Sequence, residues 1–149
     1  MTSPSVAKAL RLSIAQILLE SVQFKHRSDF LERTEEKAPP GEANLTVNVK
    51  VDEKSSSAVV QLQIDCDVPE AFYLYNASYI VVFRFDGERP EDFSERLAVT
   101  GANILHPYLR ELISNLTGRG RFGPIVLNPI NFEKAIKDQA VAAKAALTP

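Results

Sequence analysis

From Ala102 to Phe132 the chain reads ANILHPYLRELISNLTGRGRFGPIVLNPINF. Leu105, Leu109, Leu112 and Leu116 recur at steps of four, three and four, which places them on one stripe of a helix. Gly118 and Gly120 end that helix. The segment behind it carries Phe122, Ile125, Leu127, Ile130 and Phe132, and Pro124 and Pro129 forbid a helix across it. An apolar stretch without regular structure has to be covered by something, so this part of the chain is expected to serve both as core and as binding surface.

Working back toward the N-terminus, Gly87 to Pro90 predicts a turn, and Glu91-Asp92 place negative charge where a helix begins and the macrodipole favours it. Before the turn, Ala71 to Phe85 reads as strand four. Tyr73, Tyr75, Tyr79, Val81, Phe83 and Phe85 face one way, and Phe72, Leu74, Ile80 and Val82 the other. A strand apolar on both faces needs cover on both. The leucine-striped helix supplies one cover; a second subunit is expected to supply the other, with Tyr75, Tyr79 and Val81 at the oligomer interface. Strand two alternates Leu45, Val47, Val49 and Val51 with Thr46, Asn48, Lys50 and Asp52. After a turn at Lys54 to Ser57, strand three alternates Val60, Leu62, Ile64 and Cys66 with Gln61, Gln63 and Asp65. Ser28 to Ala43 contains Pro39-Pro40-Gly41 and predicts an irregular crossover in which Phe30 and Leu31 stand out as apolar.

Further upstream Val6, Leu10, Ile14 and Ile17 suit a helix, whereas Leu18, Val22 and Phe24 alternate. The expectation is a short helix running into strand one near residues 16–27, with 1–15 an N-terminal extension. At the other end, 133–149 reads as a C-terminal helix or tail. The chain is expected to be one α+β domain over 1–149: a four-stranded antiparallel sheet with C-terminal helices packed on one face.

With 149 residues the chain can hide about two-thirds of its unfolded surface. A net charge of −2 argues against a basic nucleic-acid footprint. No apolar run is long enough to span a membrane and no secretory signal pattern opens the chain. The single cysteine, Cys66, makes no internal disulfide; a cytoplasmic location is expected. Sequons at Asn44, Asn76 and Asn115 fall inside predicted elements and read as chance.

His26 and His106 are eighty residues apart with no ligand at metal spacing, so neither a metal nor another cofactor is expected. No catalytic constellation or nucleotide motif is present, and the chain reads as a binding protein rather than an enzyme. Gly118-Arg119-Gly120-Arg121 follows a helix instead of opening one, which favours a glycine cap with solvated arginines over a phosphate cradle.

The segment quoted first resembles the SecB family of bacterial protein-export chaperones. Members close with N-I-L-[aromatic]-P-Y-x-R-E-x-I and then S-R-G-x-F-P-x-L-x-L-x-P-[VI]-N-F. Here Asn103-Ile104-Leu105-His106-Pro107-Tyr108-Leu109-Arg110-Glu111-Leu112-Ile113 precedes Gly118-Arg119-Gly120-Arg121-Phe122-Gly123-Pro124-Ile125-Val126-Leu127-Asn128-Pro129-Ile130-Asn131-Phe132. The departures are His106, where the family has an aromatic or apolar residue, and Gly123-Pro124, where the proline is displaced by one. Upstream, from about Ile14 to Gly87, the similarity is one of pattern.

The resemblance implies an ATP-independent holdase for unfolded or precursor polypeptides, assembled as a homotetramer, a dimer of dimers, without nucleic-acid binding or membrane insertion. It implies a client groove built from the crossover, strand two and the loop after the long helix: Phe30, Leu31, Leu45, Val47, Val49, Phe122, Ile125, Leu127, Ile130 and Phe132. For each of these residues core burial is the competing reading. In the family the export ATPase SecA docks on acidic residues of the outer sheet face. The matching positions here fall near Ser21, Lys25 and Asn76, none acidic, with Glu20 beside the first, which implies weak docking. A binding module dedicated to one partner, such as an antitoxin, is the alternative.

Overall fold

The computed structural model describes residues 9–34, 43–68 and 71–147, the last part, from 140, as backbone only. The elements are β1 (Arg11–His26), β2 (Asn44–Asp52), β3 (Ser57–Cys66), β4 (Tyr73–Asp86), α1 (Phe93–Gly118) and α2 (Phe132–Leu147). The strands form one antiparallel sheet in the order β1-β4-β3-β2, so the chain crosses from one edge to the other between β1 and β2. This is the expected α+β architecture. Pro39-Pro40-Gly41 and Val6 lie outside the described residues.

Alternation builds the helix-side face of the sheet. Leu45, Val47, Val49 and Val51 of β2 stand opposite Ile64, Leu62, Val60 and Ala58 of β3. The same β3 residues stand opposite Ala77, Tyr79, Val81 and Phe83 of β4. Residues directly opposite share a face, and the helix lies against that face across β2, β3 and β4. At the crossing Gly101 is required: a Cβ there would sit 2.5 Å from the Val60 side chain. The buried seam of α1 runs Leu97, Gly101, Leu105, Leu109, Ile113, Thr117. Steps of four precess by about 40° each on a helix with 3.6 residues per turn. The seam therefore rotates past Leu112 and Leu116, which are only half-buried, to Ile113 and Thr117.

Two expectations are corrected here. The described part of the N-terminal region contains no helix, and what was expected to be extension from Arg11 to Ala15 is already strand. The reason is a pair of bulges. Register against β4 shifts between Ile14 and Gln16 and again between Leu19 and Ser21. Each extra residue turns an apolar step of two into a step of three, from Ile14 to Ile17 and from Leu19 to Val22. Leu12, Ile14, Ile17, Leu19, Val22 and Phe24 thus all stand opposite odd-numbered β4 residues on the helix side. Mixed steps of two and three imitate helical spacing.

The second correction concerns β4. Its helix-side residues Tyr75 and Val81 are buried within this chain, 3% and 0% exposed, and are core rather than oligomer interface. Tyr79 is half-buried, its ring 5.6 Å from that of Tyr108. The uncovered apolar surface lies on β1 instead: Leu12, Ile14, Leu19 and Val22 are 37–50% exposed on the face that α1 leaves open.

His106 is buried on α1, its ring edge-on to Phe132 of α2 at 5.4 Å, and its Nε2 has no hydrogen-bond partner among the described residues. Burial, and then the neighbouring Arg110 charge, push its pKa below the ordinary histidine value of 6.5. The unfolded chain therefore binds this proton more readily than the folded chain. Stability from the neutral ring is complete above about pH 6.5 and is lost as pH falls through the lower folded value. His106→Phe is expected to flatten this acid-side decline in urea denaturation midpoints measured from neutral to mildly acidic pH; an unchanged decline would assign it to other groups.

Candidate functional site

The loop after α1 has no strand or helix to satisfy its backbone, so side chains do it. The Tyr73 hydroxyl accepts the Phe122 N–H at 2.8 Å and donates to the Gly123 carbonyl at 3.0 Å. Burial pushes this phenol above its ordinary pKa, which keeps it a donor. One turn earlier Thr117 accepts the Ile125 N–H at 2.8 Å and donates back to the Ile113 carbonyl at 2.6 Å. Gly120 lets the loop lie on the Tyr73 ring, where a Cβ would fall 2.5 Å from it.

With its backbone held this way, the loop turns alternate side chains inward. Phe122, Ile125, Leu127 and Phe132 are buried, and Phe122 packs on Phe72 at 4.5 Å between ring centroids. These four expected groove residues are core in this chain. The outward residues are Val126, 61% exposed, and the half-buried Ile130. Val126 was missed at the sequence level, although strict alternation through Ile125, Val126 and Leu127 is its signal.

The crossover leaves β1 as a turn closed by Phe30 N–H to the Arg27 carbonyl and Glu32 N–H to the Asp29 carbonyl, at 3.1 and 3.0 Å. Arg27 donates to the Val68 carbonyl, and the Arg33 guanidinium lies over the Phe72 ring at 4.6 Å while pairing with Asp29. Phe30 is half-buried and Leu31 is 72% exposed. Leu45, Val47 and Val49 are half-buried along the β2 edge.

Crossover and loop are joined directly. Arg121 donates through its guanidinium to the Phe30 carbonyl at 2.9 Å, and through its backbone N–H to His26 Nε2 at 3.0 Å. The site is therefore an apolar surface of irregular backbone, with Leu31 and Val126 standing outward on its two parts. It contains no nucleophile–base pair, and no cluster of metal-binding side chains occurs among the described residues.

A family model described as Preprotein translocase subunit SecB matches residues 6–143. A protein-export protein SecB of Stenotrophomonas maltophilia is 29% identical over 123 residues, which cover 81% of this chain and 72% of that one. Its counterpart in Neisseria meningitidis is 39% identical over 80 residues, 54% of each chain. In Nitrosomonas europaea the match is 39% over 64 residues, 43% of this chain and 40% of that one. The chain thus spans about half the length of several curated relatives it matches. Among solved structures, a SecB-like chaperone of Mycobacterium tuberculosis in complex with an antitoxin peptide has the same fold, with a TM-score of 0.63 and 21% identity over 80% of this chain and 91% of that one.

Proposed function

The chain belongs to the SecB family, and from that premise we propose that it is an ATP-independent holdase of the cytoplasm that binds unfolded polypeptides. The observation that carries this reading is the apolar loop from Phe122 to Phe132, hydrogen-bonded into place and joined to a crossover that presents Leu31 to solvent. Burying a client leucine or phenylalanine yields about 1.5–3 kcal/mol, and ordering its side chain costs about 0.5–1.5 kcal/mol. A single anchor is too weak to hold a client; several on one assembly act in sum because later contacts become intramolecular. Suppression of aggregation of a chemically unfolded protein, without ATP, is the test. Leu31→Ser combined with Val126→Ser should impair it while the thermal midpoint stays within a few degrees, because both side chains are exposed. Full protection by this double variant would place the binding surface elsewhere. Protection of one partner alone, such as an antitoxin, would favour a dedicated binding module.

Self-assembly to a homotetramer belongs to the same proposal. Its support is the uncovered apolar side of β1, a long edge strand of the kind that pairs unless protected. Light scattering should give about four times the 16.5 kDa chain mass. Ile14→Lys should lower it; a monomer at micromolar concentration would overturn the assignment.

For the export ATPase SecA we propose weak docking. Ser21, Lys25 and Asn76 stand on the sheet face away from α1, opposite Ser78, Leu74 and Gln23. Carboxylates near these positions are Glu20, which accepts hydrogen bonds from Gln61 and Ser78, Asp65, opposite Asn76, and Asp67, which lines a surface depression with Lys25 and Asn76. Each exposed ion pair is worth about 0.2–1 kcal/mol, so three positions without an acid, one of them reversed in charge at Lys25, weaken docking and its electrostatic steering. Calorimetry with a SecA C-terminal peptide should find weak, salt-insensitive binding. Tight binding that collapses in salt, and with Glu20→Gln plus Asp65→Asn, would sink this.

A further inference from the structure

His26 ends β1 where the crossover begins, and its Nε2 accepts the backbone N–H of Arg121 at 3.0 Å. A backbone amide only donates, so this bond exists only while Nε2 carries no proton. Protonation turns the acceptor into a second N–H donor facing the Arg121 amide, and it adds a positive charge beside the Arg121 side chain. That side chain is the other half of the junction, through the Phe30 carbonyl.

Which partner moves is decided by the ring's surroundings. His26 lies 4.7 Å from Phe30, 5.3 Å from Tyr73 and 5.9 Å from Phe24, centroid to centroid. Three aromatic rings pack around the imidazole, whereas Arg121 lies in a turn outside any strand or helix, so the ring stays and the Arg121 segment leaves. Lys25 on β1 and Arg27 just past its end flank His26 in sequence, and both are cations. Asp29 of the crossover turn pairs with Arg33 through Oδ2, its buried Oδ1 having no hydrogen-bond partner among the described residues, and Tyr73 of β4 contributes a neutral hydroxyl engaged with Phe122 and Gly123. From the loop comes only Arg121; no carboxylate hydrogen-bonds to the imidazole among the described residues.

We infer that His26 is a proton-sensitive latch between the crossover and the loop after α1, and that acidification opens this junction and increases client binding. The second half rests on the holdase reading above; the latch itself does not. Opening frees the Phe30–Arg121 contact and loosens the loop that seats Phe122, so apolar surface now turned inward becomes available to a client.

The test compares amide exchange at Arg121, corrected for intrinsic rate, at about pH 7.5 and about pH 5.5. His106→Phe serves as the background, so that the buried histidine does not contribute. Losing this one hydrogen bond should speed Arg121 exchange about tenfold on acidification. His26→Gln, whose amide oxygen accepts at either pH, should hold it flat. His26→Leu, which lacks the acceptor, should exchange fast at both. Flat exchange in the background protein, or the same acid response in His26→Gln, overturns the latch. Permanently reduced α-lactalbumin reports the coupling: its affinity should rise several-fold on acidification in the background protein and stay constant in His26→Gln. Exchange that responds without any client binding at either pH keeps the latch and removes the holdase reading. Client binding that ignores pH while exchange responds overturns the coupling.

Discussion

The hydroxyl of Tyr73 is the point on which the functional end of this protein depends. Pro124 and Pro129 remove the option of a helix from the loop after α1, and the sheet does not extend to pair with it. A buried backbone amide without a partner costs about 1–3 kcal/mol, so an apolar loop can lie on a core only if side chains accept from it. Tyr73 and Thr117 accept the N–H groups of Phe122 and Ile125. Gly120 provides the clearance that lets the loop reach the tyrosine. The rest of the site follows: Phe122 packs on Phe72, Arg121 is brought to His26 and Phe30, and alternate residues of the loop point to solvent.

The sheet is covered unevenly, and that unevenness carries functional weight. The helix α1 crosses β2, β3 and β4 at a distance short enough to require Gly101, leaving β1 outside its reach. A strand with two bulges bends and twists more strongly than a regular one, yet here both bulges also keep Leu12, Ile14, Ile17, Leu19, Val22 and Phe24 on the same side, with Leu18 alone among the large apolar residues of β1 on the other. The result is an edge strand with exposed leucine, isoleucine and valine on one face. The opposite face of the sheet is more polar, with Glu20, Ser21, Gln61 and Ser78 linked by hydrogen bonds. The two faces suit different neighbours: apolar surface for assembly, a hydrogen-bonded polar surface for solvent or weak docking.

Binding surface and core are adjacent in this chain down to the level of single residues. Ile125 and Leu127 are buried while Val126 between them is exposed; Phe30 is half-buried while Leu31 is exposed. In the proposed holdase a client would bind the outward member of each pair, with the inward member setting its position. Such an arrangement keeps the intrinsic affinity of each contact low, as a holdase without an energy source needs for release.

Sequence alone determined the strands with clean alternation, β2, β3 and β4, the long helix, and the irregular loop behind it, because period-two and helical apolar patterns are local properties of the chain, although the helix is capped by Arg119 rather than by a glycine. It also supplied the family, through the motif from Asn103 to Phe132. It placed β1 near residues 16–27 but misread its start, which is already strand from Arg11, since two bulges break the period and only pairing with β4 reveals on which side each residue stands. It placed Tyr75 and Val81 at an interface and Phe122, Ile125, Leu127 and Phe132 in a groove, because a period tells which residues share a face but not which face is already covered. That was decided by where α1 crosses the sheet and by the tyrosine and threonine that hold the loop down. The meeting of His26 with Arg121, ninety-five residues apart, likewise exists only in the folded chain, where the end of the first strand and the end of the long helix come to the same corner of the sheet.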